Sequence, residues 1–138
     1  MKSKHRDYLT FKIPNDWEIE ENDDVTSIYH HKGAGVLTLS FYTVMIEREA
    51  YETHVAKMAV RYERQYNLVL RHALILETTK KNKLVVTGIG ETEDGEFTKL
   101  FFVGQFPKVV MATYLSETET PEVKIIDEIL DSFRFKGL

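Results

Sequence analysis

Between residues 46 and 66 apolar side chains recur at spacings of three and four, whereas almost everywhere else along the chain they alternate. Tyr51, Val55, Met58, Tyr62 and Tyr66 fall on one stripe of a helix, widened by Ala59. Glu49, Glu52, Lys57, Glu63 and Arg64 occupy the remaining circumference. The pattern predicts one long helix, Ile46 to Tyr66, and short strands before and after it. A helix with one apolar stripe must lie against something, and here that is a sheet.

Leu9, Phe11 and Ile13 alternate with Thr10 and Lys12, which predicts a half-buried strand. Pro14-Asn15-Asp16 turns the chain, and Trp17 and Ile19 then face opposite to Glu18 and Glu20. The run Glu20 to Asp24 reads as a solvated acidic hairpin tip, without the ligand spacing of a calcium loop. Val25 to His31 and Val36 to Val44 are the next strands, joined by a turn at Lys32-Gly33-Ala34-Gly35. Leu37, Leu39 and Phe41 face the core, with Thr38, Ser40 and Tyr42 on the other side. After the long helix, Leu68 to Thr78 and Lys83 to Thr92 read as strands separated by Lys80-Lys81-Asn82.

Asp94-Gly95 is the strongest hairpin signal in the chain. As a two-residue loop it sets Ile89 opposite Leu100 and Gly88 opposite Phe101. Val85, Ile89, Leu100 and Phe102 then line one side, and Val86, Phe101 and Val103 the other. Apolar residues on both sides mark a hairpin covered twice, with Phe101 and Phe102 each beneath its own helical layer. Gly88 and Gly90 leave a lane into which Phe101 or a helix can settle. Val109 to Ser116 is the last long strand. Thr120-Pro121-Glu122 then opens a second helix, with threonine as cap and proline in the first position. Val123, Ile126, Ile129, Leu130 and Phe133 form its stripe. The whole predicts an α+β fold, residues 1–138 as one domain, with a central antiparallel sheet of about six to eight strands and a helix on each face.

Composition narrows function mainly by exclusion. The formal net charge of −4 argues against nucleic acid as a partner, which needs a basic surface. The absence of cysteine removes thiolate catalysis, disulfides and cysteine-ligated metals. Met1 to Asp7 is charged and leads into a strand pattern, so no signal peptide is read, and no apolar run reaches a membrane span. A cytoplasmic location and no membrane partner are expected.

Candidate chemistry is sparse. The five histidines show no metal-binding spacing on a helix, and His30 and His31, adjacent on a strand, would face opposite ways. His72 shares a predicted face with Leu70, Leu74 and Leu76, which makes it the candidate pocket base. Lys57, Arg61 and Arg64 form a basic row on the long helix, a candidate partner contact. Val60 sits on the same side, opposite the apolar stripe, and with Ala56 marks a candidate contact to a partner or a second subunit. No catalytic constellation, cofactor motif or metal set is recognisable.

Phe11-Lys-Ile-Pro14-Asn-Asp-Trp17 resembles the Phe-x-Val/Ile-Pro-x-x-Trp opening of the PsbP/Mog-like superfamily, and Ser132-Phe133-Arg134-Phe135 after an amphipathic helix resembles its ending. The resemblance implies a helix–sheet–helix sandwich and places the chain near bacterial families of unknown function. It also implies a mostly non-catalytic role, since members act as adaptors, GTPase-binding factors, photosystem assembly subunits or toxin chaperones. Trp17 and Phe133 read as core residues rather than ligands. The expected function is therefore a small protein-binding module of adaptor, chaperone or immunity type. A small-molecule-binding or hydrolytic enzyme using a pocket near His72 is one alternative, and a structural homo-oligomer, such as a homodimer, is another.

Overall fold

The computed structural model describes residues 1–136. Its first strands are β1 (Lys2–Arg6), β2 (Leu9–Ile13), β3 (Glu18–Glu21), β4 (Val25–Tyr29) and β5 (Gly35–Thr43). Helix α1 (Arg48–Gln65) follows, then β6 (Val69–Leu70), β7 (Ile75–Thr78), β8 (Leu84–Glu91), β9 (Phe97–Gln105) and β10 (Lys108–Ser116). The chain ends with α2 (Glu122–Asp131) and β11 (Arg134–Phe135). An eight-stranded antiparallel sheet runs β3-β4-β5-β10-β9-β8-β6, with β7 also paired to β8. A second sheet, β1-β2-β11, has three strands.

The expected α+β sandwich is present, and one of its layers is composite. On one face α1 places Tyr51, Val55 and Ala59 against Leu84, Val86, Leu100, Phe102 and Val109. On the other face α2 packs together with the three-stranded sheet over Phe101, Val103, Val110, Ala112 and Tyr114. Trp17 and Phe133 lie in this second core, 4% and 0% exposed. Phe101 and Phe102 are 5% and 2% exposed, each in a different core, as alternation along one strand requires.

The hairpin register differs by one residue from the expected one. Gly88 pairs with Leu100 and Ile89 with Lys99. Gly95 takes φ +84°, and Thr92 exchanges with Glu96 and Gly95 around a loop one residue longer than a two-residue turn. A left-handed glycine closing a longer loop is the alternative that Asp-Gly also serves. The slip moves side chains across the sheet. Val85 and Ile89 join Phe101 in the α2 core, and Val86 joins Leu100 and Phe102 under α1.

Three further expectations change. The strand predicted from Leu68 to Thr78 is broken: residues 71–74 lie opposite only Gly88 and Ile89 of β8, while the Arg71 side chain reaches Glu91 at 3.0 Å and Glu119 at 2.9 Å, with its guanidinium over the Phe97 ring. The lane at Gly88 and Gly90 is filled by this segment rather than by Phe101 or a helix. A Cβ on Gly88 would meet Leu74, and one on Gly90 would strike the Val69 carbonyl. Finally, the charged N-terminus forms β1, a strand with no apolar alternation to announce it. Its Arg6 donates to the carbonyls of Asn22, Asp23 and Val25 and to the Thr26 hydroxyl. Backbone oxygens, rather than the acidic side chains, anchor the loop read as a free hairpin tip.

Glu122 ties the C-terminal helix to the sheet. Its carboxylate accepts from the backbone N–H groups of Ala34 and Gly35, at 3.2 and 3.0 Å, and from the Tyr114 hydroxyl at 2.7 Å. The helix starts one residue later than expected, with Pro121 rather than Thr120 preceding it, and Thr120 Oγ1 accepts the Glu122 N–H at 3.3 Å. Lys83 closes the other end of α2. Its buried ammonium donates to the Phe133 carbonyl at 2.9 Å and lies 3.5 Å from that of Asp131, while burial lowers its pKa.

Glu122→Ala leaves three donors without their acceptor, and a loss of about 2–3 kcal/mol is expected in urea unfolding, with Glu122→Gln losing less. Alkali should act through Tyr8 and Tyr114. Burial raises both phenols to about 12, for Tyr114 with help from the Glu122 carboxylate. Because the folded pKa lies above the unfolded value near 10, their contribution is complete below pH 10. It is lost as pH rises toward 12, so unfolding and a cooperative rise in tyrosinate absorbance should coincide in that window.

Candidate binding face

Helix α1 is narrower than the sheet it covers. It buries β8, β9 and part of β10, and leaves the neighbouring strands uncovered on that face. Cross-strand pairing identifies the residues there: Glu20, Ser27, Thr38, Thr113 and Leu100 form one row across five strands. Along β3, β4 and β5 this face therefore carries Glu18, Glu20, Val25, Ser27, Tyr29, Val36, Thr38, Ser40 and Tyr42, none of them buried. Their alternating neighbours Thr26, Ile28, Leu37 and Leu39 are fully buried on the opposite face. Three strands span about 10–14 Å, the width of one helix.

The strip is apolar and aromatic along its inner margin. Val36, Tyr42 and Leu115 are 40%, 41% and 41% exposed, and Tyr66 at the end of α1 is 50% exposed. Two hollows meet at Tyr62 and Tyr66 in the angle between α1 and the sheet. One, about 350 Å³, is floored by Phe102 and Met111 beside Tyr42 and Arg61. The other, about 430 Å³, runs from Val36 and Leu115 to the acidic loop Glu93, Asp94 and Glu96. Burial raises the Tyr62 phenol above its ordinary range. On the outer margin Tyr29 donates to Glu20 at 2.6 Å.

Lys57, Val60, Arg61 and Arg64 line one open trough with Thr53, Ala56 and Gln65 on the outer surface of α1. The trough belongs to a single helix, so it is an open surface rather than an enclosed cavity. Arg61 and Gln65 also border the hollow beside Tyr42, which joins the basic row to the strip. Among the described residues none of Lys57, Arg61 and Arg64 forms an ion pair. Val60 is half-buried among these long side chains.

His72 stands apart from all of this. It is exposed in the break between β6 and β7, with Nδ1 2.9 Å from the Ala73 carbonyl. Among the described residues no carboxylate lies within ion-pairing reach of its ring. The face it was expected to share with Leu70, Leu74 and Leu76 does not form, because the strand is interrupted at Arg71. His30 and His31 lie just past the end of β4, where alternation no longer holds, and their rings stack at 4.6 Å. His30 already uses both nitrogens, with Asp16 at 3.1 Å and the Lys32 N–H at 3.0 Å.

A third hollow, about 410 Å³, lies on the α2 side over Val85, Phe101, Val103 and Leu130. Its lysines are engaged, Lys99 with Asp127 at 2.9 Å and Lys83 with the end of α2. Among the described residues there is no group of three metal-ligating side chains, and no helix is long and apolar enough to cross a membrane.

Val36, Tyr42 and Leu115 carried no chemical signature in the sequence. The available clue was alternation itself: apolar residues on both sides of Leu37, Leu39 and Phe41 in a strand that one helix covers on one side only.

Together these features define an α+β domain of the PsbP-like fold, carrying an open sheet face beside its long helix. Comparison with known proteins supports the fold: no family model and no curated relative matches, but solved structures do. The cyanobacterial PsbP (CyanoP) of Synechocystis superposes with a TM-score of 0.70 at 13% identity, over 97% of this chain and 90% of that one. A protein from Bacteroides thetaiotaomicron superposes with a TM-score of 0.59 at 10% identity, over 94% of this chain. The present chain spans 46% of that second protein's length.

The Tyr29 phenol is pushed up to about 12, chiefly by its hydrogen bond to Glu20. Glu20→Ala should return it to near 10, read by the tyrosine ring resonances in an NMR titration.

Proposed function

We propose that the protein is a non-catalytic binding module, an adaptor, chaperone or immunity-type protein acting in the cytoplasm, whose ligand is a polypeptide. The observation that carries this reading is the helix-wide strip over β3, β4 and β5. Exposed Val36, Tyr42, Tyr66 and Leu115 border it, and exposed basic and acidic residues ring it. Exposed apolar and aromatic side chains beside a polar and charged margin are a common form of protein-docking surface. Strands β4 and β5 are paired on both sides, so a ligand lying over the face of the strip gains by bringing apolar side chains. Helix-in-groove docking is the mode that fits.

A photo-crosslinking amino acid placed at Tyr42 or Leu115, in the native host, should give discrete polypeptide adducts. The same probe at Glu128, exposed on α2, should not. Leu115→Glu should weaken capture at position 42 by about tenfold or more, the cost of a charge in an apolar contact. Equal adducts at all three positions, or none at 42 and 115, would remove the reading.

A further inference from the structure

The outer surface of α1 and the bare strip beside it are complementary in three respects. The strip is one helix wide, and α1 is a helix with a solvent-facing side that is not uniformly polar. Ala56 and Val60 form a shallow apolar line there, opposite in character to the usual charged back of a surface helix. The charges also match. Lys57, Arg61 and Arg64 flank that line, while Glu18 and Glu20 edge the strip and Glu93, Asp94 and Glu96 close its end.

These two surfaces lie side by side on one face of the molecule, so neither can reach the other within one chain. A two-fold axis parallel to α1, lying in the helix layer between α1 and the strip, brings both pairs together at once. Each helix would then lie on the other copy's bare strands, and the two helices would run side by side and parallel in a layer between two sheets. An isologous interface needs such a self-complementary patch. An 18-residue helix on a strip about 10 Å wide covers ~270 Å² on each side, so the two symmetric contacts total about 1,100 Å², at the lower bound for a specific interface.

We infer that a second copy of this chain occupies the strip, forming a two-fold dimer in which the basic outer face of each α1 docks on the acidic-edged strands β3 to β5 of its partner. This rests on the strip being a polypeptide-docking surface, and adds that its occupant in the isolated protein is α1 itself. Such a dimer hides the strip, so an outside polypeptide binds in competition with self-association.

Sedimentation equilibrium of the full chain, from micromolar to hundreds of micromolar, is the test. The wild type should associate to a dimer that weakens with added salt. Glu18→Lys with Glu20→Lys makes both surfaces basic, and Arg61→Glu with Arg64→Glu makes both acidic. Each double variant alone should dissociate about tenfold or more readily than the wild type, with unchanged circular dichroism. Mixed in equal amounts they should form a heterodimer, because strip and helix are again opposite in sign at both contacts. Val60→Glu should weaken the wild-type dimer through the apolar line. A wild type that stays monomeric throughout overturns the inference. A dimer whose affinity neither double variant alters, or a mixture that stays monomeric, overturns it equally. In any of these outcomes a foreign polypeptide crosslinked at Tyr42 would leave the binding-module reading standing.

Discussion

Two aromatic side chains in succession on a strand point to opposite faces, and each must find its own shelter from water. Phe101 and Phe102 impose that condition at the middle of the sheet. Each ring is worth roughly 1.5–3 kcal/mol once buried, so an arrangement covering only one face is disfavoured. The layers follow from it: α1 over Phe102, α2 and a small sheet over Phe101. The Glu122 carboxylate and the Lys83 ammonium then hold the second layer in place from the two ends of α2.

Covering is uneven because the sheet outgrows its helices. On the α2 side the three-stranded sheet widens the lid, and Ile28, Leu37 and Leu39 are fully buried. On the α1 side nothing performs that service, and β3, β4 and β5 are left bare. The residues found there are mixed, with threonine, serine and glutamate between the valine and the tyrosines. A fully solvated face would not keep Val36, Tyr42 and Leu115 together, and a permanent core would not tolerate Glu18 and Glu20. The strip lies between the two in composition.

Charge acts locally rather than globally. The net charge of −4 conceals a basic helix surface beside an acidic strand edge. Arg6 and Arg71 show the other use of charge in this fold. Each is partly exposed, yet Arg6 pins a loop through its backbone oxygens, and Arg71 ties the segment after β6 to two carboxylates. Bidentate and multi-acceptor contacts of this sort order irregular backbone that apolar packing does not reach.

Local periodicity was enough to determine both helices, most strands, the two-faced central hairpin and hence the sandwich, because burial on a helix or strand repeats at a spacing visible in the chain. It also picked out Lys57, Val60, Arg61 and Arg64 as one surface, since i, i+3, i+4 and i+7 share a face in any helix. Tertiary structure alone decided the register of β8 on β9, the break at Arg71 that strands His72 in solvent, the polar strand β1 and the bare width of the sheet. Each of these depends on how distant parts of the chain meet: one extra loop residue in the hairpin, two residues between β6 and β7 that β8 does not match, one helix narrower than the strands beneath it. No short-range pattern encodes a distance of that kind.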